Sequence, residues 1–274
     1  MRTTTYTPSL FLQPRRARQY HAANPVSQLL LWLLVVLFPG TVLGEASWLP
    51  QRIDARYAVK AEALGGRVVG ETRWRVDRPE PGVLVYESVM EPSVFFLSET
   101  RQKSVIDVVG EQLRPRRYDY NKRNRHDSVV FNWQSGRVTS KKKGRPYDLA
   151  LAPNTLDKLS YLLAAMRDLA AGKRELSYAV ASGDVVEEYR LQVTGKSLVK
   201  TGRGNYQALE VKRLGQKKRQ TTIWFAPALK YLPVKVLHVE KDGWVELLFD
   251  GADGMKAKKR RARPAQPTGD AEGP

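Results

Sequence analysis

The sequence has no cysteine and only three histidines among its 274 residues. The lack of cysteine excludes disulfides, thiolate catalysis, cysteine-ligated zinc and lipid attachment at a processed cysteine. The sequence also lacks a serine-hydrolase elbow, a zinc-protease motif and a phosphate-binding glycine loop that leads into a helix. We therefore predict no catalytic residues, no metal and no cofactor, and we expect that the protein is not an enzyme.

The three histidines do not form a recognisable site. His21 lies in the N-terminal leader, and His238 alternates with apolar positions in a predicted strand, where we expect it to be packed. His126 precedes Asp127 at the rim of a predicted hairpin. Neighbouring residues of a strand point to opposite faces, so His126 and Asp127 are not placed to act together as a catalytic dyad.

Negative charge is scarce: 46 lysines and arginines outnumber 28 aspartates and glutamates, for a formal net charge of +18. Such a charge favours anionic partners. A basic run ends one predicted strand and is interpreted either as a solvated loop or as an anion contact; it comprises Lys141, Lys142, Lys143 and Arg145. The basic residues are spread over strands and tails instead of lying on one reading helix, which disfavours nucleic acid as a partner.

Long hydrophobic runs are also rare, and the one clear case lies near the start. Arg15 and Arg16 precede the apolar run Leu29–Phe38, and small residues follow up to Ala46. This order predicts a signal peptide at residues 1–46 and a periplasmic protein. The run has about half of the ~20 apolar residues that a membrane span needs. An uncleaved leader, anchoring the protein in the inner membrane, remains the alternative.

One strong helical pattern stands out in the rest of the chain, at Asn154–Gly172. Its apolar residues recur at helical spacing and include Leu156, Leu159, Leu163 and Met166. Asn154 or Thr155 is predicted to cap the first turn, Asp157 suits the positive helix start, and Gly172 is predicted to end the helix.

Strand patterns flank this helix on both sides. About ten to twelve short strands follow one another at roughly ten-residue spacing, which is typical of an antiparallel sandwich or barrel. Thr194–Ser197 is interpreted as a turn between two of them. No linker interrupts residues 52–251, so we predict one β domain there, followed by a disordered basic and Pro/Gly-rich tail at 256–274.

The lone amphipathic helix must lay its apolar face on a sheet, and a twisted antiparallel sheet of this many strands tends to curl. We therefore predict a mainly β fold: a single large curved antiparallel sheet, an open or half barrel, with the helix packed on its concave side. The inner face is expected to carry the aromatic residues Tyr57, Trp74, Tyr86, Trp133 and Trp224. These form either a filled core or, with Leu159, Leu163 and Met166 of the helix, a cavity for acyl chains.

Three blocks of sequence resemble the exported bacterial domain-of-unknown-function family 3108 (DUF3108). They are the hairpin around Tyr118–Trp133, the helix beginning Asp157-Lys158-Leu159-Ser160-Tyr161, and Ile223–Pro227 with the strands that follow it. The resemblance covers roughly residues 55–249 and implies export and a curved sheet that holds a helix, as in periplasmic lipoprotein carriers. The family has no established activity.

We expect a non-catalytic protein of the cell envelope that binds a lipid or another amphiphile between the curved sheet and the helix. The alternative is a structural or assembly factor that contacts anionic envelope polymers or a membrane protein through its basic surface. A cavity beneath the helix is expected for the first function, whereas the second predicts no cavity and a salt-sensitive association.

Overall fold

The computed structural model describes Trp48 and residues 52–63, 66–93, 98–216 and 218–253. The predicted signal peptide and the predicted tail at 256–274 lie outside these residues. Within the described ranges, no helix is both long enough and apolar enough to cross a membrane.

In the part of the chain that the structure describes, fourteen strands form one antiparallel sheet. The first eight are β1 (Ile53–Ala63), β2 (Gly66–Glu80), β3 (Val83–Pro92), β4 (Thr100–Val109), β5 (Gln112–Lys122), β6 (Arg125–Asn132), β7 (Arg137–Lys142) and β8 (Arg145–Ala150). After the helix α1 (Ser160–Ala170) come β9 (Glu175–Ala181), β10 (Val186–Thr201), β11 (Gly204–Arg213), β12 (Arg219–Ala226), β13 (Leu232–Glu240) and β14 (Gly243–Asp253), with a single 3-10 turn at Pro227–Leu229.

Strands that are consecutive in the chain are neighbours in the sheet, and β1 pairs with β14, which joins the two halves. The sheet is not closed, because β8 and β9 are its two edges. The predicted mainly β fold, a single large antiparallel sheet with one helix, is confirmed.

Two strand boundaries differ from those that the sequence indicates. Arg145–Ala150 is a strand, although its basic start resembles a loop. The predicted turn at Thr194–Ser197 is wrong, since β10 runs through it and only shifts register between Val193 and Gly195. A one-residue bulge and a turn share the same small polar residues, so composition does not separate them.

The helix begins later than its apolar pattern predicts. Leu156 is held in an extended bridge: its N–H donates to the oxygen of Ala179, and its oxygen accepts from the N–H of Ala181, both at 2.8 Å. Capping by Asn154 or Thr155 is therefore wrong.

Asp157 caps the helix instead. Its Oδ1 accepts the N–H groups of Leu159 and Ser160 at 2.8 and 2.9 Å. The predicted end at Gly172 is confirmed: its φ is 88°, and its N–H donates to Leu169 at 3.0 Å.

The helix packs its apolar side on the inner face of the sheet, burying Leu162, Leu163, Met166 and Leu169. Leu156, which precedes α1, bridges to Val180 of the edge strand β9. Near the two sheet edges, Lys142 on β7 forms an ion pair with Asp184 at 2.5 Å, and the Ser140 hydroxyl donates to the oxygen of Gly183. We call this contact region between β7–β8 and the β9–β10 turn the seam.

Candidate functional site: an amphipathic cavity

A cavity of about 670 Å³ lies between the inner face of the sheet and the start of the helix. Strands β1–β4 form one wall and strands β10–β14 form the opposite wall. The roof consists of Lys158, Leu159, Tyr161 and Leu162. Its volume lies within the usual range of ligand pockets, about 300–1,000 Å³.

The deep part of the β12–β14 wall is apolar. Ile223 pairs with Val236, and Val236 pairs with Leu247, so these three side chains form one layer across the three strands. All three are buried and line the cavity. Leu159 and Leu162 face this layer from the roof.

The same wall becomes polar one layer at a time toward the mouth. Two residues along, Thr221 pairs with His238. Two residues further, Arg219 pairs with Glu240 and forms an ion pair with it, and both side chains are exposed. Since alternate residues of a strand share one face, the cavity runs from an apolar interior to a charged mouth.

The opposite wall is mixed in character. Trp74 is 7% exposed and pairs with Ser88, which in turn pairs with Gln102. The oxygen of Gln102 accepts a hydrogen bond from Tyr118 at 2.7 Å, which leaves its amide N–H₂ as a donor. This wall therefore offers an aromatic surface beside small hydrogen-bonding groups.

A cluster around Arg213 joins the roof to the β10–β11 wall. The Arg213 guanidinium lies over the ring of Tyr189, with its carbon 3.3 Å from the ring centroid. Its NH2 donates to Glu187 at 3.1 Å. The ring of Tyr189 contacts Tyr161 of the helix edge-on, with centroids 5.2 Å apart. Arg213 is thus held by stacking and by one ion pair.

Burial lowers the pKa of His238 to about 4, and the charges of Arg219 and Arg213 act in the same direction. The imidazole is therefore neutral at pH 7, and its Nδ1 lies 2.9 Å from the hydroxyl of Thr221. Desolvation and the charge of Lys142 lower the pKa of Lys158 at the roof. Desolvation is the largest cause of both shifts, and the nearby cations add to it.

Two of the predicted ligand-binding residues, Trp74 and Leu159, line this cavity. Four others lie in the core, beside or beyond it: Tyr57, Tyr86, Leu163 and Met166. Between Tyr86 and the second half of the helix, only a void of about 10 Å³ remains. That volume is at the limit for a single water molecule. The interior is therefore filled between Tyr86 and the second half of the helix and hollow beneath the helix start.

Two predicted aromatic residues lie elsewhere. Trp133 follows the end of β6, stacks on Phe131 with centroids 6.2 Å apart, and donates its indole N–H to Pro115. The placement of Trp224 on the inner face is wrong. It alternates with the cavity residue Ile223 and bonds Ser197 through its indole N–H at 3.0 Å.

The predicted anion-contact residues form the turn between β7 and β8. Lys142 is engaged by Asp184 across the seam. The backbone N–H of Lys143 donates to Asp127 at 2.8 Å, and its φ is 50°. The side chains of Lys141, Lys143 and Arg145 are exposed.

Sequence reasoning missed Arg213 and Glu187 as site residues. The sequence does contain a pattern that places Arg213 on the inner face. This arginine is in phase with the apolar residues Leu209 and Val211 of the same strand, so the alternation that places them inward also places Arg213 inward. A charged residue at an inward position of a strand is a functional candidate.

Among the residues that the structure describes, no group of three or more His, Asp or Glu side chains could hold a metal ion. The family model described as "Protein of unknown function (DUF3108)" matches residues 55–250. No curated protein matches the sequence. The fold is similar to the crystal structure of a β-barrel-like protein of domain of unknown function DUF1849 from Brucella abortus. Sequence identity is 11%, coverage is 74% of this chain and 97% of that chain, and the TM-score is 0.48.

Proposed function

The chain belongs to DUF3108, a family of unknown function, and we propose that it holds one amphiphilic molecule, such as a lipid, in its cavity without chemically changing it. The observation that carries this proposal is the polarity gradient along β12–β14. The wall changes from Ile223 in the interior, through Thr221, to Arg219 at the mouth. A molecule with an apolar body and a polar head matches such a gradient.

The hollow part of the interior has the size of a small-ligand site. Burial of apolar surface contributes about 25 cal/mol per Å², so an apolar chain against Trp74, Leu162 and Ile223 supplies the affinity. The polar groups nearer the mouth then fix the orientation, as in most small-molecule sites.

The proposed place of action is the cell envelope. This part of the proposal rests on the order of charged, apolar and small residues in the first 46 positions. A protein that shields the apolar part of a lipid from water is useful in an aqueous compartment between membranes.

The test is native mass spectrometry of the full chain purified from the envelope of its host, with lipid extraction and added single-chain amphiphiles. We expect a bound mass with a stoichiometry of one. Val236→Phe fills the deep layer and is expected to abolish the bound mass. Leu237→Phe adds the same ring at the next, outward-facing position and is the matched control. A protein that stays free of ligand after amphiphile addition overturns the proposal.

A second candidate function rests on the three exposed cations of the β7–β8 turn. Lys141, Lys143 and Arg145 lie together at an edge of the sheet, where they are able to contact an anionic envelope polymer or a membrane protein. Replacing the three with glutamate is expected to weaken such an association in a pull-down at low salt. Exposed charges are screened beyond about 8–10 Å at physiological ionic strength. Unchanged partners in that experiment exclude this function.

A further inference from the structure

We infer that the head group held in this cavity is a single carboxylate, as in a fatty acid, and that Arg213 binds it with the assistance of Lys158. The inference rests on the proposed amphiphile binding and adds the chemistry of the head group. Three features of the cavity support this inference: a hydrogen-bond donor without an acceptor, the position of that donor, and the charges around it.

The unmet donor is Nε of Arg213. It is buried, and no residue in the described ranges accepts its hydrogen bond, whereas the NH2 of the same guanidinium is bound to Glu187. Guanidinium groups carry five donors in a fixed plane, and stacking on Tyr189 fixes that plane here. A buried donor without a partner is costly, and an acceptor on a ligand removes that cost.

Arg213 lies at the level of the cavity wall where the polar head group of an amphiphile would meet its alkyl chain. Val211 pairs with Ile223 of the deep layer. Continuing the same register by two residues places Arg213 beside Thr221, at the level where the wall turns polar. A carboxylate at Arg213 therefore leaves its alkyl chain against Ile223 and Leu247, and no polar end has to enter the apolar layer.

The surrounding charges favour an anion at this level. Lys158 lines the cavity and has no carboxylate within 4 Å among the described residues. Desolvation lowers its pKa most, the charges of Lys142, Arg125 and Arg219 lower it further, and Glu187 opposes them. An anion beside Lys158 relieves this repulsion between cations.

Glu187 limits how much negative charge the site accepts. Its carboxylate already occupies one side of the Arg213 guanidinium. A doubly charged phosphate would lie beside that carboxylate, whereas a carboxylate head group brings a single charge and needs only one or two donors. The arrangement therefore favours a carboxylate over a phosphate monoester.

The test compares dodecanoate, dodecanol and dodecyl phosphate by isothermal titration calorimetry with the full mature chain. We expect dodecanoate to bind about tenfold more tightly than dodecanol, since a charge-assisted hydrogen bond is stronger than a neutral one. We expect dodecyl phosphate to bind more weakly than dodecanoate.

Three variants test which residues cause the preference for dodecanoate over dodecanol. Arg213→Gln is expected to remove the preference for dodecanoate while leaving the affinity for dodecanol within about twofold. Glu187→Gln removes the competing carboxylate and is expected to strengthen binding of dodecanoate and of dodecyl phosphate. Arg190→Gln removes an arginine that faces the other side of β10 and is exposed, and is the control.

The outcomes separate the two proposals. If the wild-type protein binds none of the three probes, the proposed amphiphile binding fails. If it binds dodecanol as tightly as dodecanoate, or if Glu187→Gln leaves both anionic affinities unchanged, amphiphile binding stands and the carboxylate inference is overturned. Tighter binding of dodecyl phosphate than of dodecanoate also overturns it.

Discussion

The hydroxyl of Ser104 donates to Oδ2 of Asp157 across 2.5 Å, joining the middle of β4 to the residue that caps the helix. Asp157 is fully buried, and its other carboxylate oxygen accepts two backbone N–H groups of the first helical turn. One side chain therefore fixes both the start of the helix and its position above the sheet. The roof of the cavity begins at the next residue, Lys158.

Removing this link is expected to destabilise the protein. Asp157→Ala deletes the cap and leaves Ser104 and the two N–H groups without acceptors, so we expect a loss of about 2–4 kcal/mol in the free energy of unfolding. Ser104→Ala is expected to lose less, about 1 kcal/mol. Urea unfolding of both single variants and the double variant measures the coupling. Strictly additive losses contradict a direct contact.

The end of the helix offers a second test, with a matched control. Gly172 has a φ of 88°, a left-handed conformation that disfavours any side chain, and a Cβ there meets no atom within 4 Å. Gly172→Ala is therefore expected to lose about 1 kcal/mol through backbone strain alone. Gly195 lies in the bulge of β10, with equal space and no positive φ. Equal losses for Gly172→Ala and Gly195→Ala would contradict this account.

The two ends of the helix pattern, Leu156 and Gly172, show how much of its extent can be predicted from local sequence. Gly172 is predictable because a glycine after an apolar helical pattern is a local signal. Leu156 fits the same helical spacing, yet it bridges to Val180 in an extended conformation. That choice depends on a strand that comes later in the chain. Local periodicity predicts that a helix exists, but long-range pairing sets its first residue.

The same distinction applies to the site. Aromatic residues predicted the inner face only in part, since Trp74 lines the cavity whereas Trp224 lies on the opposite face from Ile223. Residue type does not reveal the side of a strand, whereas phase relative to buried neighbours does. The sequence left open whether the interior beneath Leu159 is filled or hollow, because a void depends on side chains from nine strands.

Acid is expected to destabilise the protein through His238. Burial lowers its pKa from the unfolded value of 6.5 to about 4. The unfolded chain therefore binds a proton more readily than the folded one between these values. The contribution of this group is fully present above pH 6.5 and is lost as the pH falls toward 4.

The size of this loss is at most about 3 kcal/mol, because one pKa unit corresponds to 1.36 kcal/mol. Free energies of unfolding measured between pH 7.5 and 4 are expected to fall less steeply for His238→Asn than for the wild-type protein. Parallel curves for the two proteins would show that the imidazole stays accessible to protons in the folded state.

Ligand binding is expected to change the fluorescence of a tryptophan that lines the cavity and not that of one on the outer face of the sheet. Trp74 lines the cavity, and an alkyl chain against it changes the polarity around its indole. Trp224 is engaged by Ser197 and lies 5.1 Å from the ammonium of Lys235, away from the cavity. The emission change on adding dodecanoate is expected to shrink in Trp74→Phe and to persist in Trp224→Phe. The reverse pattern would place the ligand outside the cavity.

A closed barrel has a circumference set by its strand number and by the stagger of its hydrogen bonds. In this protein, β8 and β9 share no ladder, and the Lys142–Asp184 pair and the Ser140–Gly183 hydrogen bond connect the two sides of the seam. Side-chain contacts can lengthen or slide without breaking the register of any strand. No strand ladder therefore sets the distance between these two edges, and we expect a thicker bound chain to widen the open sheet along the seam.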